Sequence, residues 1–211
     1  MSEYSYSRYE GLDPGNGRTA IALAARFTEL VAGLPDVKNI CDLGCGNGYL
    51  SGLLLQGDYR VVGVDGSESC IAIARRAYGD RGEFVCARID KTLSARIGGA
   101  RFDAVISSDV IEHLYRPTDL LECARELLVP GGWLVLGTPY HGYLKNLALS
   151  IVDGWDAHHT VGWDGGHIKF FSVKTLSRLV TENGFEVQCF RYFGRAPWLW
   201  KNMICVARAK N

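Results

Sequence analysis

Cys41-Asp42-Leu43-Gly44-Cys45-Gly46-Asn47-Gly48-Tyr49-Leu50 is the stretch on which the reading of this chain turns. It stands where a short apolar run, Val37–Leu43, meets a helical pattern that continues through Leu55. Glycines at such a junction permit positive φ and let a ligand approach the backbone. The helix that follows offers N–H groups without intrahelical partners. The spacing is G-x-G-x-G, whereas pyrophosphate-binding turns carry G-x-G-x-x-G. Asp42, two residues ahead of Gly44, would repel a diphosphate and suits a cofactor carrying positive charge.

Outward from this loop, strand-like and helix-like segments alternate. Arg60–Val64 reads as a strand, Glu68–Tyr78 as a helix, Phe84–Arg88 as a strand and Phe102–Ser107 as a fourth. A helix over Pro117–Leu128, a Pro130-Gly131-Gly132 turn and a fifth strand, Trp133–Gly137, follow. This rhythm predicts right-handed crossovers and a mostly parallel sheet. Asp65, at the second strand's tip and 21 residues after Gly44, is placed to bind ribose hydroxyls. Asp90 ends the third strand, where an adenine edge would be read.

The flanks fit the same plan. Residues 1–16 read as an irregular arm bearing Tyr4, Tyr6 and Tyr9. Ala20, Leu23, Phe27, Leu30 and Val31 lie on one face of a helix closed by Gly33 and Pro35. Residues 138–170 break the rhythm with a helical stretch, Tyr143–Val152, and a loop rich in glycine and histidine. Helix Val173–Glu182 and two strands, Phe185–Phe193 and Met203–Arg208, complete the chain, the strands as an antiparallel hairpin.

Composition sets limits. Of 211 residues 25 are glycine, yet they show no collagen period and fill no single linker. Lys and Arg number 23, Asp and Glu 23, which argues against a protein that coats nucleic acid. Seven cysteines, an odd count, fall mostly in apolar runs as reduced thiols do. No apolar stretch approaches the length of about 18 residues that spans a membrane. These features predict a cytoplasmic, soluble protein with no stable membrane insertion, and leave monomer and homodimer both open.

The chain resembles the class I S-adenosylmethionine (SAM)-dependent methyltransferases over nearly its whole length. The resemblance is carried by the Asp42–Gly48 loop, Asp65, the run Phe102 to Leu114 (FDAVISSDVIEHL) and the run Leu128 to Leu134 (LVPGGWL). Ile111-Glu112-His113-Leu114, Thr138 with its insertion, and His167-Ile168-Lys169-Phe170-Phe171-Ser172 resemble the ubiquinone-biosynthesis type of O-methyltransferase. The resemblance implies one domain over 1–211, an α/β Rossmann-like seven-stranded sheet of order 3-2-1-4-5-7-6 with its last strand antiparallel, and helices on both faces. It implies that SAM is the cofactor. Asp42, Gly44, Gly46 and Gly48 would flank the methionine part. Asp65, Gly66 and Ser67 would hold the ribose, with Ile89 and Asp90 beside adenine. Ser107, Ser108 or Asp109 would touch the methionyl end. Arg18 would bind the SAM carboxylate or stand as an exposed helix arginine.

Methyl transfer to a small-molecule hydroxyl is a displacement in which alignment and exclusion of water do most of the work. A protonated acceptor such as a phenol needs a base, and histidine suits it. His141, His158, His159 and His167 fall in the insertion, which is expected to overhang the site as a lid. His159 and His167 lead as catalytic bases, with Asp156 a possible orienter. His113, beside Glu112, caps a turn, acts as base, or joins Asp109 and Glu112 around a cation. No zinc signature is present, so no metal is assigned. Tyr140, His141, Trp155 and Trp163 are candidate substrate contacts, and Trp133 is expected in the core. Rival readings are an N-methyltransferase, an NAD-dependent oxidoreductase and a non-catalytic partner with the same fold.

Overall fold

A computed structural model describes residues 18–159 and 166–210. Seven strands form one sheet in the order β3-β2-β1-β4-β5-β7-β6. They are β1 (Asn39–Leu43), β2 (Arg60–Asp65), β3 (Glu83–Cys86), β4 (Phe102–Ser108), β5 (Leu128–Pro139), β6 (Phe185–Phe193) and β7 (Asn202–Ala209). β1 to β5 run parallel, and β7 lies antiparallel between β5 and β6. The expected order and the antiparallel final hairpin are therefore observed.

Side chains alternate between two faces, as strand geometry dictates. Ile40, Ala104, Ile106 and Val135 face one core, built with Leu23, Phe27 and Val31 of α1 (Arg18–Ala32), Leu50 and Leu54 of α2 (Tyr49–Leu54) and Ile71 and Ala74 of α3 (Glu68–Tyr78). Cys41, Val105, Leu134 and Leu136 face the other, built with Leu93 of α4 (Leu93–Arg96), Leu120, Leu121 and Ala124 of α5 (Pro117–Leu127) and Leu176 and Val180 of α8 (Val173–Glu182). Helices thus cover both faces.

Two expectations are corrected. Pro130-Gly131-Gly132 reads as a turn, yet these residues lie inside β5. Phe102 pairs with Leu128 and Ala104 with Trp133, so the residues between bulge, with Gly131 at φ 70°. Trp133 is not fully in the core: it is half-buried and packs against the core's edge, with the Arg208 guanidinium 4.7 Å from its ring centre. The insertion after β5 holds α6 (Tyr143–Ile151) and α7 (Trp155–His159). The 1–16 arm, Trp163 and the Arg18 side chain lie outside the described residues. Among the described residues no helix is long and apolar enough to cross a membrane.

Candidate functional site

The loop between β1 and α2 has its three glycines at φ 80°, 53° and 81° for Gly44, Gly46 and Gly48. Their surroundings differ. A Cβ on Gly44 would run into Val110, and one on Gly48 would come within 2.8 Å of the Ala74 Cβ. A Cβ on Gly46 or Gly66 would meet nothing within 4 Å. Gly44 and Gly48 are packing glycines, whereas Gly46 and Gly66 present open backbone at the strand tips. Gly44→Ala is expected to destabilise the protein by about 1–3 kcal/mol through overpacking at a strained φ. Gly46→Ala is expected to cost about 1 kcal/mol of stability and to lose cofactor affinity instead. Thermal melts paired with cofactor calorimetry separate the two.

Asp65 knits this loop together. Its Oδ2 accepts from the Gly46 N–H at 2.9 Å and its Oδ1 from the Ser67 N–H at 2.8 Å. Burial raises its carboxyl above the usual carboxylate range, against the pull of those two bonds. Ser67 also caps α3, accepting from the Cys70 N–H at 3.3 Å. Asp42 is fully buried and accepts from the Ser51 hydroxyl at 2.7 Å. Burial pushes its carboxyl up to about 7. Ile89 is half-buried against the core. Asp90 does not end the third strand, because β3 stops at Cys86. The Asp90 carboxylate instead accepts from Thr92, at 2.8 Å from the N–H and 2.6 Å from the hydroxyl.

The second half of the site follows β4. The Ser107 hydroxyl is buried and donates to the Leu43 carbonyl at 2.7 Å, so it ties β4 to β1. Ser108 is half-buried at the strand's end. Asp109 takes a φ of 53°, and Asn202 donates to its Oδ1 at 2.7 Å. Val110, packed on Gly44, joins this loop to the glycine loop. Glu112 then turns inward on the 3-10 turn Ile111–His113 and is 1% exposed. Its Oε2 accepts from the Thr138 hydroxyl at 3.0 Å. Its Oε1 has no hydrogen-bond partner among the described residues and lies 4.0 Å from His167 Nε2. Burial, reinforced by Asp109, holds the Glu112 carboxyl well above the usual range.

The insertion closes back on this loop. The Ile168 and Lys169 N–H groups donate to the Glu112 carbonyl at 2.9 and 3.0 Å. His113 Nδ1 donates to the Gly166 carbonyl at 3.2 Å. The rings of His113 and His167 meet edge to face at 4.9 Å. One ligand atom each from Glu112, His113 and His167 lies within 4.8 Å of the others, close enough to hold one cation. Spacing along the chain misses this trio, because His167 arrives from the far end of the insertion.

The remaining histidines gather beside it. His141 and His159 stack at 5.5 Å, His158 meets His159 at 4.8 Å, and Phe170 lies 5.0 Å from both His141 and His159. Lys145 of α6 is buried here and donates to the Tyr140 carbonyl at 2.6 Å. His159 and Lys145 both act electrostatically on His167, so all five histidines of the chain converge. Trp155 is partly exposed, 4.6 Å from His159, with its indole N–H on the Ser150 hydroxyl at 2.7 Å. Two expectations fail. Asp156 is exposed, and among the described residues it bonds neither neighbouring histidine. Tyr140 is not on a closing surface: it is buried, packed edge-on against Tyr192 at 5.8 Å and Trp200 at 5.3 Å.

A doubly wound sheet that leaves bare backbone at its switch point is shaped to take an adenosine-bearing cofactor across the strand ends. The open backbone of Gly46 and Gly66 on either side of Asp65 leaves room for such a cofactor. The buried acid Asp42 fits a cofactor with positive charge and opposes a diphosphate. This sets the chain among Rossmann-like enzymes of the SAM type. Comparison with known proteins then gives the family: a model described as a methyltransferase domain matches residues 17–189, and the chain belongs to these SAM-dependent methyltransferases. A ubiquinone biosynthesis O-methyltransferase of Roseobacter denitrificans is 31% identical over 168 residues, 77% of this chain and 66% of that protein. One from Cereibacter sphaeroides is 30% identical over 187 residues, 84% of this chain and 74% of that one. The N-methyltransferase NodS from Bradyrhizobium japonicum, solved with S-adenosylhomocysteine, shares the fold at TM-score 0.72 and 15% identity, covering 97% of this chain and 96% of that one. Magnesium protoporphyrin IX methyltransferase from Synechocystis does so at TM-score 0.65 and 22% identity, covering 91% and 82%.

Proposed function

We propose that the chain is an O-methyltransferase of a small hydroxylated acceptor, a phenol or quinone precursor ahead of a sugar. The observation that carries this reading is the buried Glu112 carboxyl 4.0 Å from His167 at the end of β4. A proton acceptor is needed when the methylated atom is a hydroxyl oxygen, and a carboxylate-oriented imidazole is a recurring solution. The curated relatives are named as O-methyltransferases, which supports the same choice. Bound SAM supplies an activated methyl group on a sulfonium.

The chain's residues do the rest. Asp65 and the open backbone of Gly66 hold the nucleoside end, and the open backbone of Gly46 lies along the methionine part. Glu112 faces the His167 ring 4.0 Å from Nε2. The other ring nitrogen takes the acceptor's proton, and the imidazolium formed pairs with Glu112. Burial draws both imidazoles down, His167 to about 4, and Lys145 acts on both, so His167 is chosen over His159 on geometry, its Nε2 facing Glu112. The insertion shields the reacting atoms from water. A second reading rests on the unpartnered Glu112 Oε1. Glu112, His113 and His167 would hold a divalent cation that lowers the acceptor hydroxyl's pKa, and activity lost to a chelator and restored by magnesium would favour it.

Asp42 gives a pH prediction. Its carboxyl is pushed up to about 7 in the unliganded protein. A neighbouring sulfonium favours the ionised form, so binding releases a proton and tightens as pH rises through 7. SAM affinity is expected to rise severalfold between about pH 6 and 8 by calorimetry, with S-adenosylhomocysteine, a neutral thioether, nearly flat. Equal slopes for both ligands would place Asp42 beside the α-ammonium that both carry instead of the sulfonium, and no slope for either would remove it from the cofactor's surroundings.

The reaction itself is tested by S-adenosylhomocysteine release across phenols, sugars and amines. Turnover of a phenol is the expected result. Turnover of amines alone would favour N-methylation. Binding of NADH without SAM would overturn the reading.

A further inference from the structure

We infer that Lys145, His141, His158 and His159 line a positively charged recess beside the methyl-transfer site, and that it binds an anionic group, carboxylate or phosphate, carried by the acceptor. This rests on the reading of the chain as a methyltransferase of small hydroxylated molecules. The first ground is unmatched hydrogen-bonding capacity. His159 is 7% exposed, and neither ring nitrogen has a partner among the described residues. His141 is 6% exposed, and its Nε2 is likewise unpartnered. Buried polar atoms are normally paired, and each one left over costs about 1–3 kcal/mol. A recess with three such atoms is built for something that supplies partners.

The second ground is the sign of the charge. Lys145 is 1% exposed, its ammonium bonds the Tyr140 carbonyl, and no ion pair reaches it among the described residues. Arg195 and Lys201 are the other charges acting on it, and both are positive. Burial and these charges pull its ammonium down to about 8. Burial first, then Lys145, draws His141 to about 3 and His158 to about 4. Burial opposes charge of either sign, but the charges acting on these groups are positive, and they repel a metal ion and favour an anion. Phe170 and Trp155, against the same imidazoles, supply flat apolar walls. The recess adjoins the proposed proton acceptor, because Lys145 and His159 both act on His167. One acceptor can therefore reach both with a hydroxyl at one end and an anion at the other.

The test is binding to the full chain, followed by calorimetry and by the histidine ring resonances in NMR. The probes are 3,4-dihydroxybenzoate, catechol and inorganic phosphate. Dihydroxybenzoate is expected to bind at least about tenfold more tightly than catechol and to shift the His141 and His159 signals, as one charge-assisted bond warrants. Phosphate that moves the same signals points to phosphorylated acceptors; carboxylate binding without it points to acids. Lys145→Met is expected to weaken anion binding about 10–100-fold while S-adenosylhomocysteine affinity holds. His159→Phe keeps the ring volume and carries the test if Lys145→Met does not fold. Equal binding of dihydroxybenzoate and catechol with no response to phosphate, or anion affinity unchanged in both variants, overturns the recess. Anion binding in a protein that methylates no hydroxyl would count against the methyltransferase reading and leave the recess standing.

Discussion

His167→Ala is expected to lower kcat by about 10²–10⁴-fold, the range that a positioned general base supplies, with cofactor affinity unchanged. The ring stands 4.0 Å from a carboxyl that is 1% exposed and has one oxygen unpartnered. Removing the imidazole takes away the proposed proton acceptor and the ring that faces Glu112. Glu112→Gln is the companion: it can still accept the Thr138 bond but removes the carboxylate opposite His167. A fall in kcat with an unchanged melting temperature marks Glu112 as a positioning residue. A His167→Ala enzyme within a few-fold of wild type would place the base elsewhere, with His113 the next candidate.

Asp65→Ala is expected to weaken cofactor binding by about 100-fold or more. Two charge-assisted bonds, to the Gly46 and Ser67 N–H groups, disappear together, each worth about 1.5–3 kcal/mol. The glycine loop then loses its tie to β2, and the expected ribose contact goes with it. Calorimetry with S-adenosylhomocysteine reads the loss, and a thermal melt checks that the sheet survives. Unchanged affinity would contradict the ribose role.

Much of this fold is legible in the sequence because its strands carry their own periodicity. Glu68–Tyr78, Val173–Glu182 and Phe185–Phe193 are bounded as the pattern predicts, by Ser67 and Ser172 caps and by Asn183-Gly184. Pro130-Gly131 misleads because turn residues also build bulges, and only pairing to Phe102 and Ala104 shows which. The cofactor end reads well because its residues are contiguous or lie at strand tips. The acceptor end reads poorly because its partners are distant in sequence. Tyr140 looks like a lid residue until β6 and β7 bring Tyr192 and Trp200 against it. Lys145 looks like an ordinary surface lysine on a short helix, since no local pattern reveals that its ammonium is turned inward. The four insertion histidines are visible as a group, but their division between Glu112 and Lys145 is a matter of tertiary packing.

The proposed reaction is methyl transfer to a hydroxyl oxygen beyond the end of β4. Its most direct test is mass spectrometry of a phenolic acceptor after incubation with methyl-deuterated SAM. The labelled methyl is expected on the hydroxyl oxygen, with S-adenosylhomocysteine released in equal amount and both lost in His167→Ala. Label on nitrogen or carbon, or label on oxygen that persists undiminished in His167→Ala, would contradict it.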